Sequence, residues 1–129
     1  MFYDYLVNPR ILSHSKATSE QVCLGKHGRT RIWTQEEINA AVVHRAQEGK
    51  VVVRLKAGDP TVFGRSAEEL EELSRHDIPY EIVPGITSGL AVSSYAGIPL
   101  THRKWASAVA LVTGHEVSRS EEHTSELQS

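Results

Sequence analysis

The sequence predicts an α/β fold built on a mostly parallel sheet with flanking helices, and three observations carry that reading. Val51-Val52-Val53-Arg54-Leu55 is a continuous, mostly β-branched run, the pattern of a strand buried on both faces. Thr34-Gln35-Glu36-Glu37 and Ser66-Ala67-Glu68-Glu69 both spell a capping box, the local signal for a helix start. Apolar strand-like segments alternate with helical stretches of roughly ten residues, which implies parallel strands joined by right-handed crossovers.

Taken in order, Met1-Phe2-Tyr3-Asp4 reads as the end of an apolar strand. Pro9 opens a short helix toward Ser15, since proline fits the first turn. Val22 to Leu24 is a short strand ending at Gly25. The helix capped by Thr34 places Ile38, Ala41, Val42, Arg45 and Ala46 on one face and stops at Gly49. The helix opened by Ser66 turns Leu70 and Leu73 inward. Tyr80 to Val83 is a further strand, Thr87 or Ser88 to Ala96 a helix of small residues ended by Gly97, and Ala108 to Val112 a last strand. Residues 97–103, with Gly97 and Pro99, form the candidate linker between two domains.

The tail Arg119 to Ser129 has no hydrophobic periodicity and matches the translation of a common sequencing adapter, so it is set aside as an artefact. Its one Arg and three Glu account for the formal charge of −2; the rest is neutral. A neutral domain without aromatic residues interleaved among its basic ones argues against a nucleic-acid partner. No apolar run approaches the roughly 20 residues that span a bilayer, and no signal-peptide pattern opens the chain, so the cytoplasm is the expected compartment. The single cysteine, Cys23, reads as a structural thiol. The seven histidines lack metal-ligand spacing, and neither a P-loop nor GxGxxG occurs, so no metal or dinucleotide site is expected. Trp33 and Trp105 are read as packing residues.

Ligands of open parallel sheets bind beyond the carboxyl ends of the strands. That rule selects Asp4, Gly25-Lys26, Ala57-Gly58-Asp59-Pro60 and Pro84-Gly85-Ile86-Thr87-Ser88. Gly58 would let a ligand approach the backbone, and Asp59 could accept from hydroxyl or ammonium groups; the same residues also make an ordinary Asp-Pro turn. Thr87 and Ser88 suit either a polar or anionic ligand at a helix start or a plain N-cap. Lys26 to Arg31 carries three fixed positive charges, fit for a polycarboxylate or phosphate, or for a solvated loop. Asp4 and Lys26 form the candidate acid/base pair.

The segments YDYLVNP (Tyr3 to Pro9), QEEIN (Gln35 to Asn39), VVRLKAGDPTVFGR (Val52 to Arg65), VPGITS (Val83 to Ser88), YAGIPLTHR (Tyr95 to Arg103) and VTGH (Val112 to His115) together resemble the uroporphyrinogen-III C-methyltransferases of the tetrapyrrole methylase family. Thr101-His102-Arg103 favours them over sister tetrapyrrole methylases and related ribosomal-RNA methylases. The resemblance implies the N-terminal domain of a two-domain fold, lacking its first strand, with the cofactor in the cleft between domains. It implies transfer of methyl groups from S-adenosylmethionine to two positions of uroporphyrinogen III, giving precorrin-2 on the route to sirohaem and cobalamin, in a homodimer. By position, Asp4 matches the proton acceptor and Lys26 the proton donor, while Ala57, Gly58, Asp59, Val62, Thr87 and Ser88 match cofactor-binding residues. Arg29, Arg31 and Arg65 are candidates for substrate carboxylates by charge alone.

The chain departs from the family at Ala57, where glycine is common, at Arg31, where histidine is, and at Thr34, where proline is. Residues 1–103 are expected to be the partial first domain and 104–118 the start of the second. With the first strand, its proline-glycine loop and most of the second domain outside it, the chain by itself is expected to lack a competent site. The alternatives are a non-catalytic binding module for an anionic small molecule and a methyltransferase for another precorrin.

Overall fold

In a computed structural model of the chain, residues 1–25 and 33–114 are described. Three strands, β1 (Phe2–Tyr3), β2 (Val22–Cys23) and β3 (Arg54–Leu55), form a sheet in the order β2-β1-β3. Both pairings are parallel, with Phe2 opposite Val22 and Arg54, and Tyr3 opposite Cys23 and Leu55. The ladder extends past the strand ends: Phe2 N–H donates to the Val53 carbonyl at 2.8 Å and Leu24 N–H to the Tyr3 carbonyl at 2.7 Å. The α/β class with a parallel sheet is therefore observed.

Four helices accompany the sheet: α1 (Pro9–Leu12), α2 (Gln35–Gln47), α3 (Ser66–Arg75) and α4 (Ser88–Tyr95). Helix α2 starts as its sequence dictates. The Thr34 hydroxyl accepts from the Glu37 N–H at 3.2 Å, and the Glu37 carboxylate accepts from the Thr34 N–H at 3.0 Å. Both otherwise orphaned donors are satisfied locally. The helix sends Ile38 into a core with Phe2 and Leu24, against which Val22, Trp33, Ala41, Val42 and Val52 pack. Burying each large apolar side chain contributes about 1.5–3 kcal/mol. Val43 is also buried, while Arg45 leaves that face to pair with Glu20 at 2.9 Å.

Several expected elements differ. Ser66 does not cap α3; its hydroxyl donates to the Pro60 carbonyl, and the N-cap position is held by Arg65 in the left-handed region at φ 52°. Only Arg54–Leu55 of the 51–55 run is strand, and Val51 is 95% exposed rather than buried on both faces. Tyr80 to Val83 and Ala108 to Val112 are not strands, and Val83 and Val112 are exposed. Strand geometry persists where a neighbour takes its backbone hydrogen bonds, and among the described residues these two segments pair with none. Trp105 is exposed and stacks on His102 with centroids 4.2 Å apart, whereas Trp33 packs as expected.

The chain divides into two compact units, Met1–Ala91 and a second beginning at Val92. Sheet, core and helices α1 to α3 belong to the first. No helix among the described residues is long and apolar enough to cross a membrane.

Candidate functional site

Because the strands are parallel, their carboxyl ends open on one edge of the sheet. Asp4 follows β1, the central strand, and its carboxylate is held in a tight turn. Oδ1 accepts from the Leu6 N–H at 3.0 Å, the Asp4 carbonyl accepts from the Val7 N–H at 3.3 Å, and Oδ2 lies 3.8 Å from Nη2 of Arg54. Gly25 follows β2 and packs so close to Tyr5 that an added Cβ would lie 2.9 Å from its backbone nitrogen. Lys26, the expected partner of Asp4, lies outside the described residues, as do Arg29 and Arg31.

Beyond β3, Gly58 takes φ +75°, a backbone state that favours glycine. Asp59 then joins two loops. Its Oδ1 accepts from the Thr61 N–H at 2.8 Å and from the Thr61 hydroxyl, and its Oδ2 accepts from the Gly85 N–H at 3.0 Å. These bonds, led by those from Thr61 and joined by that from Gly85, hold the Asp59 carboxyl below its usual range. Gly85 is pressed onto the Gly58–Asp59 backbone: a Cβ there would strike the Gly58 carbonyl and come within 3.2 Å of the Asp59 Cα. On the same side, a Cβ on Gly58 would sit 3.8 Å from the Cα of Thr87. Thr87 accepts from the Leu90 and Ala91 N–H groups and so begins α4, with Ser88 its first residue. The 84–88 segment, although no strand precedes it, is thus brought to the loop after β3.

A cavity of about 240 Å³ lies beside these loops. Asp4, Ala57 and Val62 line it together, with Gln35, Arg54 and Lys56 among the other walls. The expected site residues therefore assemble in two contiguous groups: Asp4 with Ala57 and Val62 around the cavity, and Gly58 and Asp59 against Gly85 and Thr87, with Ser88 adjoining. Ala57 and Gly58 are adjacent in the chain and link the groups.

An ion network under the cavity was not expected. Glu69 on α3 meets Arg54 Nε at 3.1 Å and Lys56 Nζ at 2.8 Å, and accepts from Gln35 Nε2 at 3.4 Å. Lys56 also donates to the Gly64 carbonyl. The side chains of Lys56, Glu69 and Arg54 are only 9, 12 and 17% exposed. A signal for it existed: Arg54 interrupts an otherwise apolar run and Lys56 follows two residues later, so an extended backbone turns both charges to one side. Charges in that position need partners, because burying them unpaired is costly. Among the described residues no group of three or more His, Cys, Asp or Glu side chains is placed to hold a metal.

Chemically, the arrangement offers a fixed carboxylate on the wall of a small cavity. Beside it are two loops in backbone contact, with a helix start at their junction.

Comparison with known proteins gives this arrangement a family. The chain is 50% identical over 125 residues to a uroporphyrinogen-III C-methyltransferase of Methanocaldococcus jannaschii, covering 97% of this chain and 52% of that protein. It is 51% identical over 120 residues to an S-adenosyl-L-methionine-dependent uroporphyrinogen III methyltransferase of Methanosarcina barkeri, covering 93% and 47%. A crystal structure of the uroporphyrin-III C-methyl transferase of Thermus thermophilus, complexed with S-adenyl homocysteine, matches with a TM-score of 0.65 at 46% identity, covering 83% of this chain and 43% of that one. The chain thus spans about half the length of these relatives. The family model of the tetrapyrrole (corrin/porphyrin) methylases matches residues 2–128, and the chain belongs to that family.

Proposed function

We propose that the gene product carrying this chain is an S-adenosylmethionine-dependent uroporphyrinogen-III C-methyltransferase that forms precorrin-2. The observation that carries the reading is the assembly of Asp4, Ala57 and Val62 around one cavity, beside the contact of Gly58 and Asp59 with Gly85 and Thr87. The names of the relatives, and the S-adenyl homocysteine bound to the Thermus thermophilus enzyme (the demethylated form of the donor), support both substrate and donor.

In this reading the loops at 57–62 and 84–88 bind the methyl donor, whose sulfonium methyl is the electrophile. Asp59 acts by holding the loops together through Gly85 and Thr61, and Gly58 and Gly85 leave no side chain between the two backbones. Positioning is the main demand of such a transfer, since holding donor and acceptor in line removes much of the entropic barrier. Methylation of a pyrrole carbon requires the substrate to release a proton, and in this reading Asp4, whose Oδ1 accepts from the Leu6 N–H, takes it up. Lys26 supplies a proton in turn, a role that rests on the resemblance. Arg65, a cavity wall, is a candidate for a substrate carboxylate.

Residues 1–103, with the linker 97–103, form the first domain in this proposal, and 104–118 begin the second. The family resemblance supports a cytoplasmic homodimer.

The test is direct. Incubated anaerobically with S-adenosylmethionine and uroporphyrinogen III, the intact gene product should transfer two methyl groups to each tetrapyrrole, read by mass spectrometry. Methylation of a precorrin with none of uroporphyrinogen III would refute the substrate, and no transfer to any tetrapyrrole would refute the reaction.

A further inference from the structure

We infer that Arg54 is a positioning residue for Asp4, held to that task by Glu69; the inference rests on the proposed role of Asp4 as proton acceptor. Each nitrogen of the Arg54 guanidinium has its own neighbour. Nε meets Glu69 at 3.1 Å, Nη1 donates to the Leu55 carbonyl at 2.9 Å, and Nη2 faces Oδ2 of Asp4 at 3.8 Å. Two anchors fix a planar group, so the third nitrogen is presented in one direction. Asp4 is gripped from the other side by the Leu6 N–H on Oδ1. The carboxylate thus stands between a backbone donor of its own turn and a guanidinium whose plane is set from helix α3.

Glu69 is held in turn. It also meets Lys56 and Gln35, and Gln35 Nε2 donates to the Asn39 side chain at 2.9 Å. The Asn39 amide reaches the Glu68 carbonyl at 3.5 Å. The chain of contacts joins α2, α3 and β3 and ends at the cavity wall that Asp4 and Arg54 share. The network of two carboxylates and two cations is balanced without Asp4 being tied in a close pair, since Oδ2 stays 3.8 Å from Arg54.

The test is a double-substitution cycle in the intact gene product, with methyl transfer to uroporphyrinogen III and S-adenosylhomocysteine affinity as the two readings. R54Q alone should lower kcat by roughly 10²-fold, the scale of a small misplacement of a reacting group, with S-adenosylhomocysteine affinity unchanged. In the D4N background, R54Q should lower kcat no further, because residues that act as a unit are not additive. Losses that multiply would overturn the inference and leave the role of Asp4 standing. A D4N enzyme with full rate would overturn the role of Asp4, and this inference with it. R54Q leaves Glu69 paired with Lys56 and Gln35, so the fold should persist. If its unfolding transition is lost, R54K keeps a charge beside Glu69 without the planar fork, and the same cycle decides with it.

Discussion

Asp4→Asn is expected to lower methyl transfer by roughly 10²–10⁴-fold, the usual contribution of a positioned general base, while S-adenosylhomocysteine binding stays as it is. Asparagine keeps the size of the side chain and an oxygen for the Leu6 N–H, which Asp4 Oδ1 accepts at 3.0 Å. The turn after β1 should therefore survive, and what disappears is the ability to take up a proton. The effect belongs in kcat, since the residues proposed to hold the methyl donor lie in the 57–62 and 84–88 loops. Single-turnover rates with both substrates saturating, alongside calorimetry with S-adenosylhomocysteine, separate the two. A variant that transfers methyl groups at the unaltered rate would remove Asp4 from the mechanism.

Gly85→Ala should give the opposite profile, with binding lost first. A Cβ at this position has nowhere to go. It would strike the carbonyl of Gly58 and crowd the Asp59 Cα, both backbone atoms that no rotamer change can move aside. The 57–62 and 84–88 loops must then part, and the 3.0 Å bond from the Gly85 N–H to Asp59 lengthens with them. Overpacking of this kind costs about 1–3 kcal/mol, which corresponds to roughly a 5- to 150-fold weaker affinity for S-adenosylhomocysteine. Titration calorimetry reads it. Unchanged affinity would show that the contact between these loops is not part of the binding surface.

What the sequence revealed follows the range of the interactions involved. The Thr34–Glu37 box was legible because both of its bonds close within four residues, so no distant contact competes. The Ser66–Glu69 box has the same spelling and failed, because a tertiary partner won: the Ser66 hydroxyl went to the Pro60 carbonyl across the 57–65 loop. Strands at 80–83 and 108–112 were misread for a related reason. An apolar β-branched segment states a preference, but a strand exists only where another backbone takes up its hydrogen bonds.

The site divides in the same way. The position of Asp4 and of the Gly58-Asp59 turn was legible from the rule that ligands sit beyond carboxyl ends, since Asp4 directly follows β1 and the turn comes three residues after β3. The 84–88 loop was selected on a wrong premise: no strand directly precedes it, and its approach to Gly58 depends on the absence of a side chain at Gly85. Glu69 was invisible as a partner of Arg54 and Lys56, because helix packing rather than local spacing brings it under β3. Resemblance supplied what physics could not, the methyl donor and the tetrapyrrole that the proposed function names.

The central claim is that the two loops meeting at the carboxyl edge of the sheet hold the methyl donor. A crystal structure of the intact gene product with S-adenosylhomocysteine bound tests it most directly. The ligand should contact the backbone of Gly58 and Asp59 and the Thr87–Ser88 helix start, with its sulfur directed to the cavity that Asp4 lines. A ligand bound elsewhere, leaving both loops untouched, would contradict the account.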